Sequence, residues 1–171
     1  MKSQTLYNII KSNMEKSIVS LDVFLPPCAF DADVFYDKLL ESIRMKETTC
    51  DHEIGYIDQI FRVVDIKNSL LMDDGLCKLK VDVECNVFKP DIGKQVDVEI
   101  KTISEHGIFA ELGKNRFLIP SDTFKNHTRD RGEVFDVAGR ALGQGSIVKI
   151  EIINFRYDYK CFCCIGKFAD A

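Results

Sequence analysis

The spacing of apolar positions changes at residues 91–93 and divides the chain into two halves. Before this point, apolar residues at helical spacing lie between long runs of β-branched and aromatic residues. After it, short segments alternate between apolar and polar positions, which is the period of half-buried strands. We therefore expect a compact α+β unit over residues 17–90 and an all-β barrel over residues 91–171. Residues 1–16 are expected to form an N-terminal extension or a short helix.

Two helices are predicted in the first half. The first lies within residues 4–14, where the apolar positions at helical spacing are Leu6, Ile9, Ile10 and Met14. The second follows Asp31 or Asp33, because either carboxylate can cap a helix by accepting hydrogen bonds from unpaired backbone N–H groups. It continues to about residue 46, and its apolar stripe, expected to pack on a sheet, consists of Phe35, Leu39, Leu40 and Ile43.

Three strands are predicted around the second helix. They are Ser17–Leu25, Ile54–Ile66 and Leu76–Phe88. The segment between the last two ends in Asp74-Gly75, a turn signal. It also contains the apolar cluster Leu70-Leu71-Met72. This cluster either caps the core of its own domain or inserts into a partner, since exposed apolar clusters mark interaction sites.

The second half predicts about five short antiparallel strands, the number found in an OB-type barrel. A polar segment over residues 121–132 is expected to be a loop, followed by a short strand at Glu133–Val137. Gly113-Lys114-Asn115 is expected to be a hairpin turn. The predicted barrel strands begin around Val96–Ile100 and continue with His106–Leu112, Arg116–Ile119, Ile147–Phe155 and Lys160–Phe168.

The balance of charged residues argues against a protein that binds duplex DNA on its own. The net charge is −4, with 11 Lys/Arg against 15 Asp/Glu in residues 1–90 and 12 of each in residues 91–171. Phosphate neutralisation supplies most of the affinity for duplex DNA, so any contact with nucleic acid must be local and modest. No apolar run reaches the roughly 18–20 residues of a membrane span, and the N-terminus lacks a secretory signal. We expect an intracellular protein.

Neither a metal site nor a catalytic centre is indicated. The seven cysteines are irregularly spaced, which favours reduced thiols over a disulfide framework. Cys161 and Cys164 form a C-x-x-C pair, but no second pair or histidines follow at ligand spacing. The preferred interpretation is that Cys161 and Cys163 share one face of a strand as small buried apolar side chains. Gly143-Gln144-Gly145-Ser146 lacks the lysine of a phosphate-binding loop. We expect no cofactor and a non-catalytic protein.

One stretch of the second half resembles an S1 RNA-binding domain, a variant of the OB fold. The similar segments are Gly93–Ile100, Glu105–Ala110 and Arg116–Ser121. The preceding Val87-Phe88-Lys89-Pro90 narrows the resemblance to the larger stalk subunit of archaeal and eukaryotic-type RNA polymerases. This subunit is called E in archaea and is the seventh subunit of eukaryotic polymerase II. The resemblance extends over about residues 17–170.

The resemblance implies an RNP-like tip domain over residues 17–90 and an S1 barrel over residues 91–171, in a non-catalytic subunit of DNA-directed RNA polymerase. It implies docking on the polymerase core, a smaller stalk partner, contact with nascent RNA and a role in initiation. The implied RNA-contacting residues are Lys101, His106, Phe109, Lys114 and Arg116. The implied core-docking residues are Gly55, Tyr56, Leu70, Leu71, Met72, Asp74 and Gly75. The implied joint between the domains is Phe88, Lys89 and Pro90.

Two departures from the S1 pattern predict weak RNA binding. His106 stands where an aromatic residue is usual, and Pro120 stands where a histidine is usual. Phe109 either stacks on a base or belongs to the barrel core. Two alternatives to a stalk subunit stay open, namely a free-standing S1-type adaptor in translation or RNA decay, and a scaffold without RNA contact. A cellular eukaryotic polymerase would place the protein in the nucleus, and a large-DNA-virus polymerase in the cytoplasm or virion.

Overall fold

A computed structural model describes residues 12–124, 128–130, 133–135 and 141–169. Within this part of the chain, the contacts define two compact units. The sheet unit contains Met14–Thr49 and Ile57–Phe88, and the barrel unit contains Asn13, Cys50–Tyr56 and the described residues from Lys89 onward. The first predicted helix falls on residues 4–14, of which 4–11 lie outside the described residues. No helix in the described ranges is long and apolar enough to cross a membrane.

A four-stranded sheet occupies the first half, in the order β1-β4-β3-β2. Its strands are β1 (Glu15–Leu25), β2 (Thr49–Asp51), β3 (Gly55–Leu71) and β4 (Cys77–Phe88). Antiparallel pairing of β1 with β4 runs without interruption from Glu15↔Val87 to Leu25↔Cys77. The first strand therefore begins two residues before the predicted start, within the segment expected to be an extension. From Leu21 to Leu25 alternate side chains of β1 are buried, as a sheet with one covered face requires.

The helix α1 (Phe35–Arg44) packs against β1 and contributes Leu39 and Ile43 to the core. The predicted N-cap is wrong: the cap is Val34, which makes no side-chain capping bond. The backbone carbonyl of Asp31 instead accepts the N–H groups of Val34 and Phe35, at 3.1 and 2.9 Å. A turn of 3-10 helix at Pro27–Phe30 precedes this point and brings Asp31 into that position.

The uncovered face of the sheet is filled by ion pairs. Glu84 on the central strand β4 binds Lys16 on one side and Arg62 on the other, at 3.0 and 2.8 Å. Asp82 binds Lys67 at 2.6 Å and accepts a hydrogen bond from the Ser20 hydroxyl. These partners hold the pKa of both carboxyl groups below the ordinary values, with the hydrogen bonds from Lys67 and Lys16 as the largest causes. Both carboxylates are therefore charged at neutral pH.

The second half contains a closed five-stranded barrel in the order β11-β12-β7-β6-β5, consistent with the expected OB-type barrel. Its strands are β5 (Gln95–Ser104), β6 (Gly107–Leu112), β7 (Asn115–Pro120), β11 (Ile147–Asp158) and β12 (Cys161–Phe168). β12 and β7 are parallel, and the other neighbouring strands are antiparallel. Fully buried aliphatic and aromatic side chains from all five strands fill the interior, among them Ile100, Ile108, Phe117, Ile150 and Phe162.

Between β7 and β11 the chain forms more structure than the predicted loop and single strand. A three-stranded sheet in the order β10-β9-β8 consists of β8 (Thr128–Asp130), β9 (Glu133–Phe135) and β10 (Ala141–Leu142). The expected loop over residues 121–132 is therefore wrong at Thr128–Asp130, which pairs with β9. The strand expected over residues 133–137 is found at Glu133–Phe135. Residues 136 and 137 lie outside the described residues.

The segment Cys50–Tyr56 belongs to the barrel unit although it is distant in sequence from the barrel strands. The Tyr157 hydroxyl donates a hydrogen bond to the Cys50 carbonyl at 3.0 Å. Tyr56 is buried beneath Gly113, where a Cβ atom would come within 2.8 Å of its ring and where φ is +61°. Only glycine satisfies both the left-handed backbone and the close approach at this turn.

Candidate nucleic-acid interface

Strand register places outward-facing side chains of four barrel strands in two parallel rows. The first row, the apolar row, runs Phe109 (β6), Leu118 (β7), Ile165 (β12) and Asn154 (β11). The second row, the arginine row, runs Glu111 (β6), Arg116 (β7), Cys163 (β12) and Arg156 (β11). Neighbouring strands are about 4.8 Å apart, so each row crosses about 14 Å of the barrel surface. We call these two rows together the platform.

The platform lines an open groove with a volume of about 400 Å³. Its lining combines the apolar row with Arg116, Arg156 and the ring of Phe155. Phe109 is 47% exposed, so its side chain lies on the outer surface of the barrel and is not part of the core. An exposed aromatic ring beside arginines can stack on a nucleic-acid base while the guanidinium groups meet phosphates.

The charge of the platform is local and partly balanced. Arg156 contacts Asp158 at 3.4 Å, and both side chains are largely exposed, so this pair contributes little stability. Glu111 is the cross-strand neighbour of Arg116, but Arg116 forms no ion pair with any residue that the structure describes. Two arginines beside two carboxylates favour a weak electrostatic contact with an anion over strong binding.

A β-bulge in β11 changes which side chains of that strand face the platform. The pairing of β11 with β12 passes from Ile152↔Gly166 to Asn154↔Ile165, so Ile153 is the extra residue. Bulges of this kind change which face a side chain occupies. As a result Asn154 lines the groove, and Phe155 and Arg156 follow it there. The sequence prediction missed these three residues because the bulge breaks the alternation and because a parallel register cannot be read from local spacing.

Only two of the five predicted RNA-contacting residues meet on the platform, namely Phe109 and Arg116. Lys101 lies at an irregularity of β5 and its ammonium group binds Glu99 at 2.6 Å. His106 is exposed in the turn before β6, and its carbonyl accepts the N–H of Ser121 at 3.1 Å. Lys114 is exposed in the β6–β7 turn. These three side chains do not line the groove.

The predicted core-docking residues divide into two groups. Leu70 and Leu71 end β3 with 64% and 68% exposure, and Met72 follows in the turn. That turn is closed by the Met72 N–H bonded to the Leu76 carbonyl at 2.8 Å, with Asp74 accepting the Leu76 N–H at 3.0 Å. Gly75 supplies the left-handed conformation, with φ +82°. These five residues form one exposed apolar and acidic tip, which we call the hairpin tip.

Gly55 and Tyr56 are not part of the hairpin tip. Both are buried and belong to the barrel unit, so in this structure neither offers a surface to a partner. At the predicted joint, Phe88 is fully buried at the end of β4 and Pro90 is buried in the barrel unit. Lys89 between them is exposed, and its ammonium group donates to the Glu53 carbonyl at 2.6 Å.

Comparison with known proteins gives a relative for most of the chain. No family model matches. The chain is 26% identical over 151 aligned residues to the DNA-directed RNA polymerase II subunit rpb7 of Schizosaccharomyces pombe, and the alignment covers 82% of this chain and 86% of the relative. The resemblance to the polymerase stalk subunits is confirmed. The matched share exceeds the length of either unit, so this likeness to the larger stalk subunits involves both the sheet unit and the barrel unit.

Four of the cysteines are buried thiols. Burial raises the pKa of Cys50 and Cys85 to about 11 and that of Cys164 to about 12, so these thiols are protonated at neutral pH. No three His, Cys, Asp or Glu residues in the described ranges are placed to hold a metal ion. These three thiols therefore act as small apolar side chains. Of the two cysteines expected to be buried together on one face of a strand, Cys161 is buried on β12, whereas Cys163 is half-buried and lines the groove.

Proposed function

We propose that this chain is a non-catalytic stalk subunit of a DNA-directed RNA polymerase. Its sheet unit is the RNP-like tip domain that docks on the polymerase core, and a smaller stalk partner binds the same chain. Its barrel contacts nascent RNA weakly, and the subunit supports initiation. The observation that carries this proposal is the 26% identity to a polymerase II subunit over 82% of the chain.

Docking through the hairpin tip is supported by its composition and exposure. Leu70, Leu71 and Met72 expose apolar surface at the end of the longest hairpin in the described structure. Apolar side chains at such a position cost solubility and are expected where a partner covers them. Asp73 and Asp74 add negative charge beside them, so the receiving surface on the core should combine an apolar pocket with basic residues.

Contact with RNA through the platform is supported by the exposed Phe109 ring and the two arginines. Stacking of one base on an aromatic ring contributes about 1–3 kcal/mol, too little for tight binding alone. The even balance of 12 basic and 12 acidic residues in residues 91–171 adds no long-range attraction. A weak contact becomes effective when the polymerase holds the barrel close to emerging RNA, because tethering raises the effective concentration.

The docking proposal is tested by replacing pairs of exposed apolar residues with serine, one pair in the hairpin tip and one pair outside it. The test variant carries Leu70→Ser with Leu71→Ser, and the control carries Met45→Ser with Ile92→Ser, which are 77% and 65% exposed and are not residues of the hairpin tip. Each tagged chain is purified from its own cells, and the polymerase subunits recovered with it are quantified. Loss of the large subunits with the test variant alone supports docking through the hairpin tip.

Equal recovery of polymerase with both variants would refute docking through the hairpin tip but would leave the chain a polymerase subunit. Recovery of ribosomes or nucleases with the unmodified chain would refute the stalk function itself. A polymerase of a cellular eukaryote would place the protein in the nucleus, which microscopy of the tagged chain tests in the same cells.

A further inference from the structure

Three of the seven free thiols are accessible, and one of these lies in the groove. Cys28 is exposed, Cys77 and Cys163 are half-buried, and the other four cysteines are buried. Cys163 lines the groove at the centre of the arginine row. Its cross-strand partners are Arg116 on β7 and Arg156 on β11, and both arginines line the same groove. An accessible thiol therefore has an arginine on either side.

We propose that Cys163 is a thiol-modification site at which an anionic small-molecule disulfide, of the glutathione class, forms a mixed disulfide with the chain. The Cys163 thiol loses its proton to water, and the sulfur attacks one sulfur of the small disulfide, whose S–S bond breaks. One half of the small molecule stays bonded to Cys163. The other half leaves as a thiolate with the bonding electron pair and takes up a proton. The cysteine is oxidised, and the released thiol is the reduced product.

The arginine row favours both the nucleophile and the reagent. Reactive cysteines lie in electropositive, partly exposed surroundings, where nearby cations stabilise the thiolate. Each half of glutathione disulfide has two carboxylates and one ammonium group, a net charge of about −1 at neutral pH, so Arg116 and Arg156 attract it. Glu111 is the cross-strand neighbour of Arg116, and Asp158 contacts Arg156 at 3.4 Å. These carboxylates reduce the attraction, but neither is a cross-strand partner of Cys163.

A second thiol, that of Cys161, lies on the same face of β12 as Cys163 but is not the attacking group. Its Sγ donates to the Asp158 carbonyl at 3.1 Å. Burial is the largest cause of the raised pKa of Cys161, and the charge of Cys163 and a hydrogen bond with it add to the effect, so Cys161 is protonated at neutral pH. Residues two apart on a strand have Cα atoms about 6.6–6.8 Å apart, the upper limit for a disulfide. The mixed disulfide is therefore expected to persist instead of closing onto Cys161.

Modification of Cys163 would block the groove reversibly. The bonded tripeptide occupies the space above the apolar row and places its carboxylates between Arg116 and Arg156, which then no longer attract a phosphate. Reducing thiols remove the mixed disulfide and restore the groove. This consequence for RNA rests on the proposed RNA contact of the barrel, whereas the modification itself does not.

The test treats the full chain at low salt with glutathione disulfide or with cystamine, a disulfide of positive charge. Peptide mass spectrometry measures the rates of modification at Cys163 and at Cys28. With glutathione disulfide, Cys163 should react faster than Cys28 although it is less exposed. The ratio of the two rates should be about tenfold higher with glutathione disulfide than with cystamine, as expected for steering by local charge. A chain with Arg116→Gln and Arg156→Gln should bring this difference between the reagents to about one.

Cys28 is a suitable internal reference because it lies outside the barrel, in the exposed turn Pro27–Phe30. Its charged neighbour Lys38 is already paired with Glu41 at 3.0 Å. The buried thiol of Cys164 reports on folding, since it should stay unmodified in every folded chain. Faster reaction of Cys28 than of Cys163 with glutathione disulfide would overturn the proposal. An equal ratio of rates with both reagents, or a ratio unchanged in the doubly substituted chain, would overturn the role of the arginines and with it the proposed site.

A second measurement tests the consequence for RNA and separates it from the modification. Binding of a fluorescein-labelled eight-residue oligouridine is followed by fluorescence anisotropy before treatment, after treatment with glutathione disulfide, and after reduction. Affinity should fall at least about tenfold on treatment and return on reduction, and in Cys163→Ser treatment should cause no change. Unchanged affinity of the modified chain would overturn the blocking of the groove. Failure of the untreated chain to bind RNA would overturn the proposed RNA contact, while the rates at Cys163 would still decide the modification site.

Discussion

Asn115 is a fully buried polar residue of the barrel, at the start of β7. Its replacement gives a quantitative prediction for the free energy of unfolding. The Oδ1 atom of Asn115 accepts the N–H of Phe162 at 3.1 Å and is 3.9 Å from the thiol of Cys50, while its Nδ2 donates to the Leu112 carbonyl at 3.2 Å. The side chain thus forms hydrogen bonds with polar groups on β6 and β12 and contacts the segment Cys50–Tyr56.

In Asn115→Ala the Phe162 N–H and the Leu112 carbonyl lose this partner inside the barrel. A buried polar group left unpaired costs about 1–3 kcal/mol, and the smaller side chain adds a cavity. We expect the free energy of unfolding of the barrel to fall by about 2–4 kcal/mol, measured by urea denaturation followed by circular dichroism.

Asn86 provides the matched control, because it is also a buried asparagine on a strand. Its Nδ2 is the one buried side-chain polar atom without a hydrogen-bond partner in the described residues. Asn86→Val removes that unsatisfied donor and places a β-branched residue in β4, so stability should stay within about 1 kcal/mol or rise. If Asn115→Ala cost no more than Asn86→Val, the assignment of Asn115 as the central polar contact would be refuted.

Three further predictions concern the platform, a turn and the sheet. Arg116→Gln should lower the slope of log affinity for RNA against log salt by about 0.7, the value for one phosphate contact on a single strand; an unchanged slope would show that Arg116 binds no phosphate. Gly113→Ala should destabilise the barrel by about 1–3 kcal/mol in thermal unfolding, since its Cβ meets Tyr56 at a positive φ; unchanged stability would contradict this packing. The lowered pKa values of Asp82 and Glu84 mean that their contribution to stability is present above their ordinary values of 3.8 and 4.5 and is lost as the pH falls through the lower folded-state values. Acid titration of the sheet unfolding should show this loss, and a pH-independent stability below pH 5 would exclude it.

Local pattern was sufficient to predict the strands but not the contacts between them. The three strands predicted in the first half are found because β-branched residues and alternation indicate the extended conformation directly. Their bounds differ: β3 and β4 begin one residue later than predicted, and β3 continues to Leu71 instead of ending at Ile66. Helix α1 was predicted from its stripe of apolar residues, but its N-cap residue was predicted wrongly. The 3-10 turn at Pro27–Phe30 puts the Asp31 carbonyl, not its carboxylate, at the start of the helix.

The candidate site was predictable only in part, for the same reason. Phe109 and Arg116 were implied by the resemblance to S1 domains, and the structure places both on the platform. Asn154 was missed because a bulge and a parallel strand pair bring it to the groove, and neither is encoded in local spacing. Tyr56 was expected at a docking surface and is buried under Gly113, a contact between residues far apart in sequence.

The central claim, that this chain is a polymerase stalk subunit, is tested most directly by purifying the tagged full chain from its own cells and quantifying what accompanies it. If the chain is a stalk subunit, the large subunits of a DNA-directed RNA polymerase should be recovered in near-equal amounts with it, together with a smaller stalk partner. Recovery of ribosomal proteins or ribonucleases in place of polymerase subunits would contradict it.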